Sequence, residues 1–416
     1  MDERRLSLTL ADRPAADLRA DFPGLVTKED APWHYLDTAA TAQKPRAVIE
    51  AMSRALGEDY ATVHRGVYSR SADMTLAYEN ARRKVASLVG GGEDEIVFTR
   101  GATEAINLVA KSWGKANLKA GDRILLSQLE HHSNIVPWQM LAQEVGAHID
   151  VVPLTDDHRI DLDAAETMLT GQHKLVAFGH VSNVLGSVLD AKRAADLAHN
   201  VGAKLLLDGC QAVAHMPVDV GALDCDFYVF SAHKLYGPTG IGALWARSEI
   251  LLEMPAWEGG GAMIDRVTFE KTTYGSGPQR FEAGTPAITE AIAFAAAVDY
   301  VQSVGLGMVH EAEGELVARL RRELTAMNDV TVYGPADSAG IVSFTIDDIH
   351  PHDLGTILDE ANVAIRAGHH CAQPLMDYLG VPATARASFG LYSTQEDVSA
   401  LLEGIARTRR IFGKGI

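Results

Sequence analysis

The chain has 416 residues, 47% of them hydrophobic, with 37 Lys and Arg against 55 Asp and Glu and a formal net charge of −18. That length allows a large unit plus a smaller one, each with its own core, while the acidic balance, with a sequence pI of about 5.3, argues against nucleic acid as a partner. No apolar run approaches the span of a membrane helix and Met1-Asp-Glu-Arg-Arg-Leu-Ser-Leu-Thr-Leu has no signal-peptide core, so a soluble, cytoplasmic protein is expected.

Residues 1–34 read as an N-terminal arm with at least one helix. Over 35–301 strands and helices alternate, as in an α/β unit built on a mostly parallel sheet. Within it, Glu95-Ile-Val-Phe-Thr-Arg is a short strand, and Gly101-Ala-Thr-Glu opens a helix with Ala105, Ile106, Val109, Ala110 and Trp113 on one face. A helix N-terminus after a glycine turn can hold a phosphate on its free N–H groups, with Thr103 adding a hydroxyl, although a simple cap has the same appearance. The apolar run Arg123-Ile-Leu-Leu-Ser leads to Glu130-His-His-Ser-Asn-Ile-Val-Pro-Trp, where His131 can stack on a flat ring. Another apolar run leads to His180-Val-Ser-Asn-Val-Leu-Gly, whose Asn183 is a hydrogen-bonding candidate or a turn residue.

Ala203-Lys-Leu-Leu-Leu-Asp and Asp226-Phe-Tyr-Val-Phe-Ser-Ala-His-Lys read as buried strands ending at Asp208 and Lys234. Each residue alone is a common turn or surface group. Together, at the sheet edge where open α/β folds bind ligands, a lysine and a carboxylate are what pyridoxal phosphate chemistry needs: a Schiff-base amine and an acid against the pyridinium nitrogen. Gln211 follows Asp208, and Ser231 and His233 adjoin Lys234 as further donors for a phosphate.

Farther along, Gly259-Gly-Gly-Ala-Met-Ile and Gly275-Ser-Gly-Pro suggest a mobile loop or hairpin. A helix over 287–305 is apolar on nearly all sides, which implies burial. Residues 302–416 then form a smaller α+β unit: a helix over 309–327, strands over 330–333 and 341–346, a helix over 352–360 and a terminal helix. The cysteines, Cys210, Cys225 and Cys371, are too few and too irregular for a disulfide framework. Cys210 and Cys225 flank predicted strands and read as small core residues. Cys371 lies in the polar loop Gly368-His-His-Cys-Ala-Gln-Pro, where Arg366, His369 or His370 can favour its thiolate. Adjacent histidines without CxxC or HExxH spacing give no metal site.

These stretches resemble a known family. With Thr62-Val-His-Arg-Gly, Phe281-Glu-Ala-Gly-Thr-Pro and Arg366-Ala-Gly-His-His-Cys-Ala-Gln-Pro, the chain from about Tyr35 to its end is similar to the class V aminotransferase group of fold-type I pyridoxal phosphate enzymes, specifically SUF-type cysteine desulfurases. The resemblance implies that Lys234 carries the Schiff base, Asp208 pairs with the ring nitrogen, His131 stacks, and Asn183 and Gln211 meet the ring oxygen. Thr103, Ser231 and His233 then hold the phosphate, with Thr285 supplied by the other subunit of a homodimer. Arg386, with Arg366, binds the carboxylate of L-cysteine, and Asn183 lies near the substrate.

The same resemblance implies an activity: Lys234 would remove the Cα proton, Cys371 would take the sulfur as a persulfide, and alanine would leave. On that resemblance the sulfur is expected to pass to an acceptor protein for iron–sulfur cluster assembly. His352, in Asp347-Asp-Ile-His-Pro-His-Asp, is a helix-cap neighbour on the residues alone. The resemblance makes it the group that replaces a cysteine on the zinc of a small zinc-bearing acceptor. Selenocysteine lyase or cysteine sulfinate desulfinase activity, and a non-enzymatic sulfur-carrier or scaffold role, are the alternatives.

Overall fold

The computed structural model describes residues 15–414. Its larger sheet has seven strands in the order Ile96–Thr99, Gly242–Ala246, Phe227–Ser231, Lys204–Asp208, His173–Gly179, Arg123–Ser127 and His148–Val152. Only Gly242–Ala246 runs against its neighbours; the other pairings are parallel. Parallel strands are covered on both faces, which is why they read as unbroken apolar runs. Leu205 and Leu207 point into one core with Val176 and Phe178, while Leu206 points into the other with Leu175 and Ala177. The helix beginning Ala102–Val109 covers that second face through Ala105, Ile106, Val109, Ala110 and Trp113, the predicted stripe.

Ile288–Val304 is buried nearly all round, as its composition predicts. The next helix, Leu306–Thr325, starts three residues earlier than expected. Gly305, at φ 90°, makes a 73° turn between the two, a bend that lets a helix resume without a linker. Among the described residues no single helix is long and apolar enough to cross a membrane. The glycine clusters flank an antiparallel hairpin, Ile264–Val267 with Thr272–Tyr274.

A four-stranded antiparallel sheet, in the order Val330–Tyr333, Ile341–Ile346, Thr384–Ser388 and Arg366–Gly368, has a separate core against Leu306–Thr325, Pro351–Asp359 and Gln395–Ile411. The segment at residues 34–37 belongs with this sheet by hydrogen bonding: His34–Tyr35 runs parallel to Val363–Ala364, and Ser388 N–H donates to the Leu36 carbonyl at 2.8 Å. The preceding helix, Ala15–Arg19, is tied to the same region, because Arg19 reaches Asp397 at 3.1 Å and the Tyr392 carbonyl. The segment following Leu36 then crosses to the larger sheet.

Candidate active site

The carboxyl ends of the parallel strands and the edge of the smaller sheet enclose a cavity of about 200 Å³. The larger sheet contributes Thr103, His131, Asn183, Asp208, Gln211, Ser231, His233 and Lys234, and the smaller contributes Arg366, Cys371 and Arg386. Thr285 is exposed and borders two other depressions, and His352 lies outside the cavity, in the first turn of Pro351–Asp359.

Asp208 is the last residue of its strand, and its Oδ1 accepts from Cys210 N–H at 3.0 Å. Lys234 stands beyond its strand: Phe227–Ser231 ends three residues earlier, and Ala232–Lys234 forms one tight turn. The turn sets Lys234 at the cavity instead of continuing the sheet ladder. Beside it, Ser231 Oγ accepts from Ala102 N–H at 2.9 Å at the start of the helix. Gly101, with φ 155°, makes that approach; a Cβ there would sit 3.2 Å from the Ser231 hydroxyl.

His131 is neutral at physiological pH. Burial, then the positive charge of Lys234, lowers its pKa to about 4. Its Nδ1 accepts from Ser133 N–H at 3.1 Å, so the ring proton sits on Nε2. His233 is likewise pushed down to about 4, by burial first and then by Lys234 and Lys44. Asn183 and Gln211 have partners inside the protein: Asn183 Nδ2 donates to the His370 carbonyl at 2.8 Å and Gln211 Nε2 to the Ala39 carbonyl at 2.9 Å.

Arg386, only 2% exposed, donates from Nη2 to Asp37 Oδ1 at 2.9 Å and from Nη1 to the Asn183 carbonyl at 2.7 Å. Its Nε–H has no partner among the described residues, a buried donor available to an incoming anion. Cys371 is partly exposed, and both it and His370 have positive φ, 56° and 52°. Two successive non-glycine residues in this region store strain of roughly 1–3 kcal/mol each. The loop is held by His132, whose N–H donates to the Cys371 carbonyl at 2.8 Å and whose Nε2 accepts from Gln373 N–H at 3.0 Å. Cys210 and Cys225 are buried, and burial raises the Cys210 thiol to about 12 and the Cys225 thiol further.

The sequence reading overlooked two acidic groups. Glu130 lines the cavity, 2% exposed, and receives Ser127 Oγ, Asn134 Nδ2 and Gly179 N–H; burial raises its pKa to about 7. The Ser127-x-x-Glu130 spacing was its available signal. Asp37 had none, because its partners are more than 300 residues away.

An amine, a carboxylate, a flat neutral ring and phosphate donors at a helix N-terminus therefore meet at one cavity. That donor set fits pyridoxal phosphate. Comparison with known proteins agrees. The chain is 48% identical over 399 residues to a cysteine desulfurase of Cronobacter sakazakii, spanning 95% of this chain and 98% of the relative. Its fold superposes on the cysteine desulfurase CsdA of Escherichia coli with a TM-score of 0.90 at 40% identity, covering 96% of this chain and 99% of that one. A cysteine desulfurase from Thermococcus onnurineus gives a TM-score of 0.90 at 37% identity, covering 96% and 99%. The aminotransferase class-V model matches residues 34–401, nearly all of the described chain, and the protein belongs to that family.

Proposed function

We propose that this protein is a cysteine desulfurase, dependent on pyridoxal 5'-phosphate, that converts L-cysteine to L-alanine. The sulfur is held as a persulfide on Cys371 and donated to an acceptor protein for iron–sulfur cluster assembly. The observation that carries this reading is the meeting of Lys234, Asp208 and Cys371 at one cavity. The 48% identity to a cysteine desulfurase over nearly the whole chain supports it.

When bound, pyridoxal phosphate supplies an electron sink for the carbanion at the substrate Cα. Thr103, Ser231 and His233 would hold its phosphate, the neutral His131 ring would lie against its ring, Asn183 and Gln211 would meet its ring oxygen, and Asp208 would accept from its protonated nitrogen. Arg386 and Arg366 bind the cysteine carboxylate through charge-assisted hydrogen bonds. Lys234 Nζ would hold the cofactor and, as a free amine, would be the base for the Cα proton. Thiolate Cys371 attacks the substrate sulfur: the new S–S bond forms as the C–S bond breaks, its electron pair remains with the carbon fragment, and protonation gives alanine.

The exposed position of Thr285 supports its contribution across a homodimer interface. His352 Nε2 lies 3.9 Å from where a Cβ on Gly368 would be, three residues before Cys371, which supports a role for His352 at a zinc-bearing acceptor. The working division, in a cytoplasmic enzyme, is an arm at 1–34 that packs with the smaller unit, its residues 1–14 outside the described residues; a cofactor unit at 35–301 whose first residues still hydrogen-bond to the smaller sheet; and a smaller unit at 302–416 carrying the cysteine loop.

The test is the visible absorption of the purified protein before and after L-cysteine, with alanine measured in parallel. A yellow band that changes as alanine accumulates is the expected result. An unchanged band with no alanine overturns the reading, and release of alanine from selenocysteine or cysteine sulfinate alone redirects it to a related lyase.

A further inference from the structure

The peptide that delivers Lys234 is held from outside its own turn. In the short turn Ala232–Lys234, Leu235 and Gly237 N–H both donate to the Ala232 carbonyl, leaving the His233 carbonyl without a partner in the turn. The carbonyl is partly buried, and such a group is normally satisfied from elsewhere in the chain. Three donors from one distant segment converge on it: Ala42 N–H at 3.0 Å, Lys44 Nζ at 3.0 Å and the Thr41 hydroxyl at 3.3 Å. The same Thr41 hydroxyl lies 3.2 Å from His233 Nδ1.

A hydroxyl has one proton and a carbonyl two lone pairs. With Ala42 N–H and Lys44 Nζ on the carbonyl, the Thr41 proton is free for His233 Nδ1. The neutral ring then carries its own proton on Nε2 and keeps a donor that can serve a phosphate. Removing Lys44 would leave that carbonyl lone pair to the Thr41 hydroxyl, 3.3 Å away, whose oxygen could then accept from a protonated Nδ1, leaving Nε2 without its proton.

We propose that Lys44 is a positioning residue for the cofactor site: it fixes the His233–Lys234 peptide and sets the tautomer of His233. This rests on the reading that His233 and Lys234 meet the cofactor. The lysine's environment agrees with a dedicated structural use. Its ammonium donates also to the Ala42 carbonyl, no carboxylate among the described residues pairs with it, and burial lowers its pKa to about 8. Its segment is anchored at several other points, with Tyr35 donating to the Thr41 carbonyl at 2.7 Å and Gln43 N–H to Tyr392 at 3.2 Å. The clamp is therefore backed by fixed neighbours.

The test uses Lys44→Met, which keeps the stem and removes the donors, and Lys44→Gln, which restores one. Pyridoxal phosphate affinity of the apoprotein is measured by equilibrium dialysis, and backbone deuterium exchange of the same apoprotein by mass spectrometry. Lys44→Met is expected to weaken binding about tenfold, the loss of one charge-assisted hydrogen bond (about 1.4 kcal/mol). Exchange should accelerate in peptides spanning 231–236 and 40–44 alone, with Lys44→Gln in between. Binding within twofold of wild type, or exchange accelerated throughout the chain, overturns the proposal. Should Lys44→Met not fold, Lys44→Gln is judged by the same two readouts. Neither measurement involves cysteine, so failure of the desulfurase reading would be seen separately, in wild-type turnover.

Discussion

Arg366 and Arg386 stand directly opposite one another in the antiparallel pairing of Arg366–Gly368 with Thr384–Ser388, and Asp37 lies against both. One carboxylate oxygen is 2.9 Å from Arg386 and the other 4.0 Å from Arg366. Like charges directly across a ladder are unfavourable, and the carboxylate compensates. Within this trio, two guanidinium groups and one acid carry a single net positive charge, a match for one substrate carboxylate.

Asp37→Ala should therefore cost about 3 kcal/mol of unfolding free energy, because it strands the buried Arg386 charge. Urea denaturation reads this directly. Arg366→Met, at the more exposed guanidinium, should leave the fold intact and raise KM for L-cysteine roughly tenfold.

Lys234→Ala should lose the visible absorption of the bound cofactor's lysine linkage and reduce alanine formation by at least about a thousandfold. Single-turnover alanine assays measure it. Retained turnover would show that another group removes the Cα proton.

For Cys371→Ser, cofactor and substrate binding should persist while no persulfide accumulates, since a hydroxyl is a poor nucleophile toward sulfur at neutral pH. Mass spectrometry after cysteine treatment locates the added sulfur. Burial keeps Cys210 and Cys225 as thiols, so sulfur on either would remove Cys371 from the mechanism.

His352→Ala should leave the first persulfide on Cys371 nearly unchanged and strongly reduce repeated turnover with a zinc-bearing acceptor. The imidazole is exposed in the first helical turn, with its backbone N–H capped by His350 Nδ1 at 3.2 Å, so its loss should not disturb the fold. Alanine release over many turnovers at saturating acceptor is the measurement.

Acid should destabilise the apoprotein before its surface carboxylates titrate. Burial lowers His131, His180 and His233 to about 4, so the unfolded chain binds protons at these rings below 6.5 and the folded protein does not. Their contribution is complete above pH 6.5 and is lost as the pH falls through 4. Glu130 acts oppositely. Raised to about 7, it contributes stability below its unfolded value that fades as the pH rises through 7. Chemical denaturation from pH 7 to pH 4 should show the histidine slope winning, and His180→Gln should flatten it by about one proton, roughly 1.4 kcal/mol per pH unit.

The strands were legible where burial on both faces made them unbroken apolar runs, as at Lys204–Asp208 and Phe227–Ser231. The tight turn that sets Lys234 beyond its strand was not, because Ser-Ala-His-Lys carries no glycine or proline to mark it. The start of Leu306–Thr325 was placed late since Gly305 reads as a stop, whereas it serves as a bend between two helices. Most of the cavity's side chains were found in short local motifs. Asp37, Thr41 and Lys44 escaped notice because their meaning lies in partners some 190 to 350 residues away.

The two left-handed residues at His370 and Cys371, cross-tied to His132, bear on how sulfur can leave. A loop tied in that way is restrained on both sides of the cysteine. Its partly exposed thiol must serve both a substrate arriving from the cofactor side and an acceptor arriving from solvent. With the sulfur held on a tied loop, the expectation is that an acceptor comes to the cysteine rather than the cysteine travelling to it.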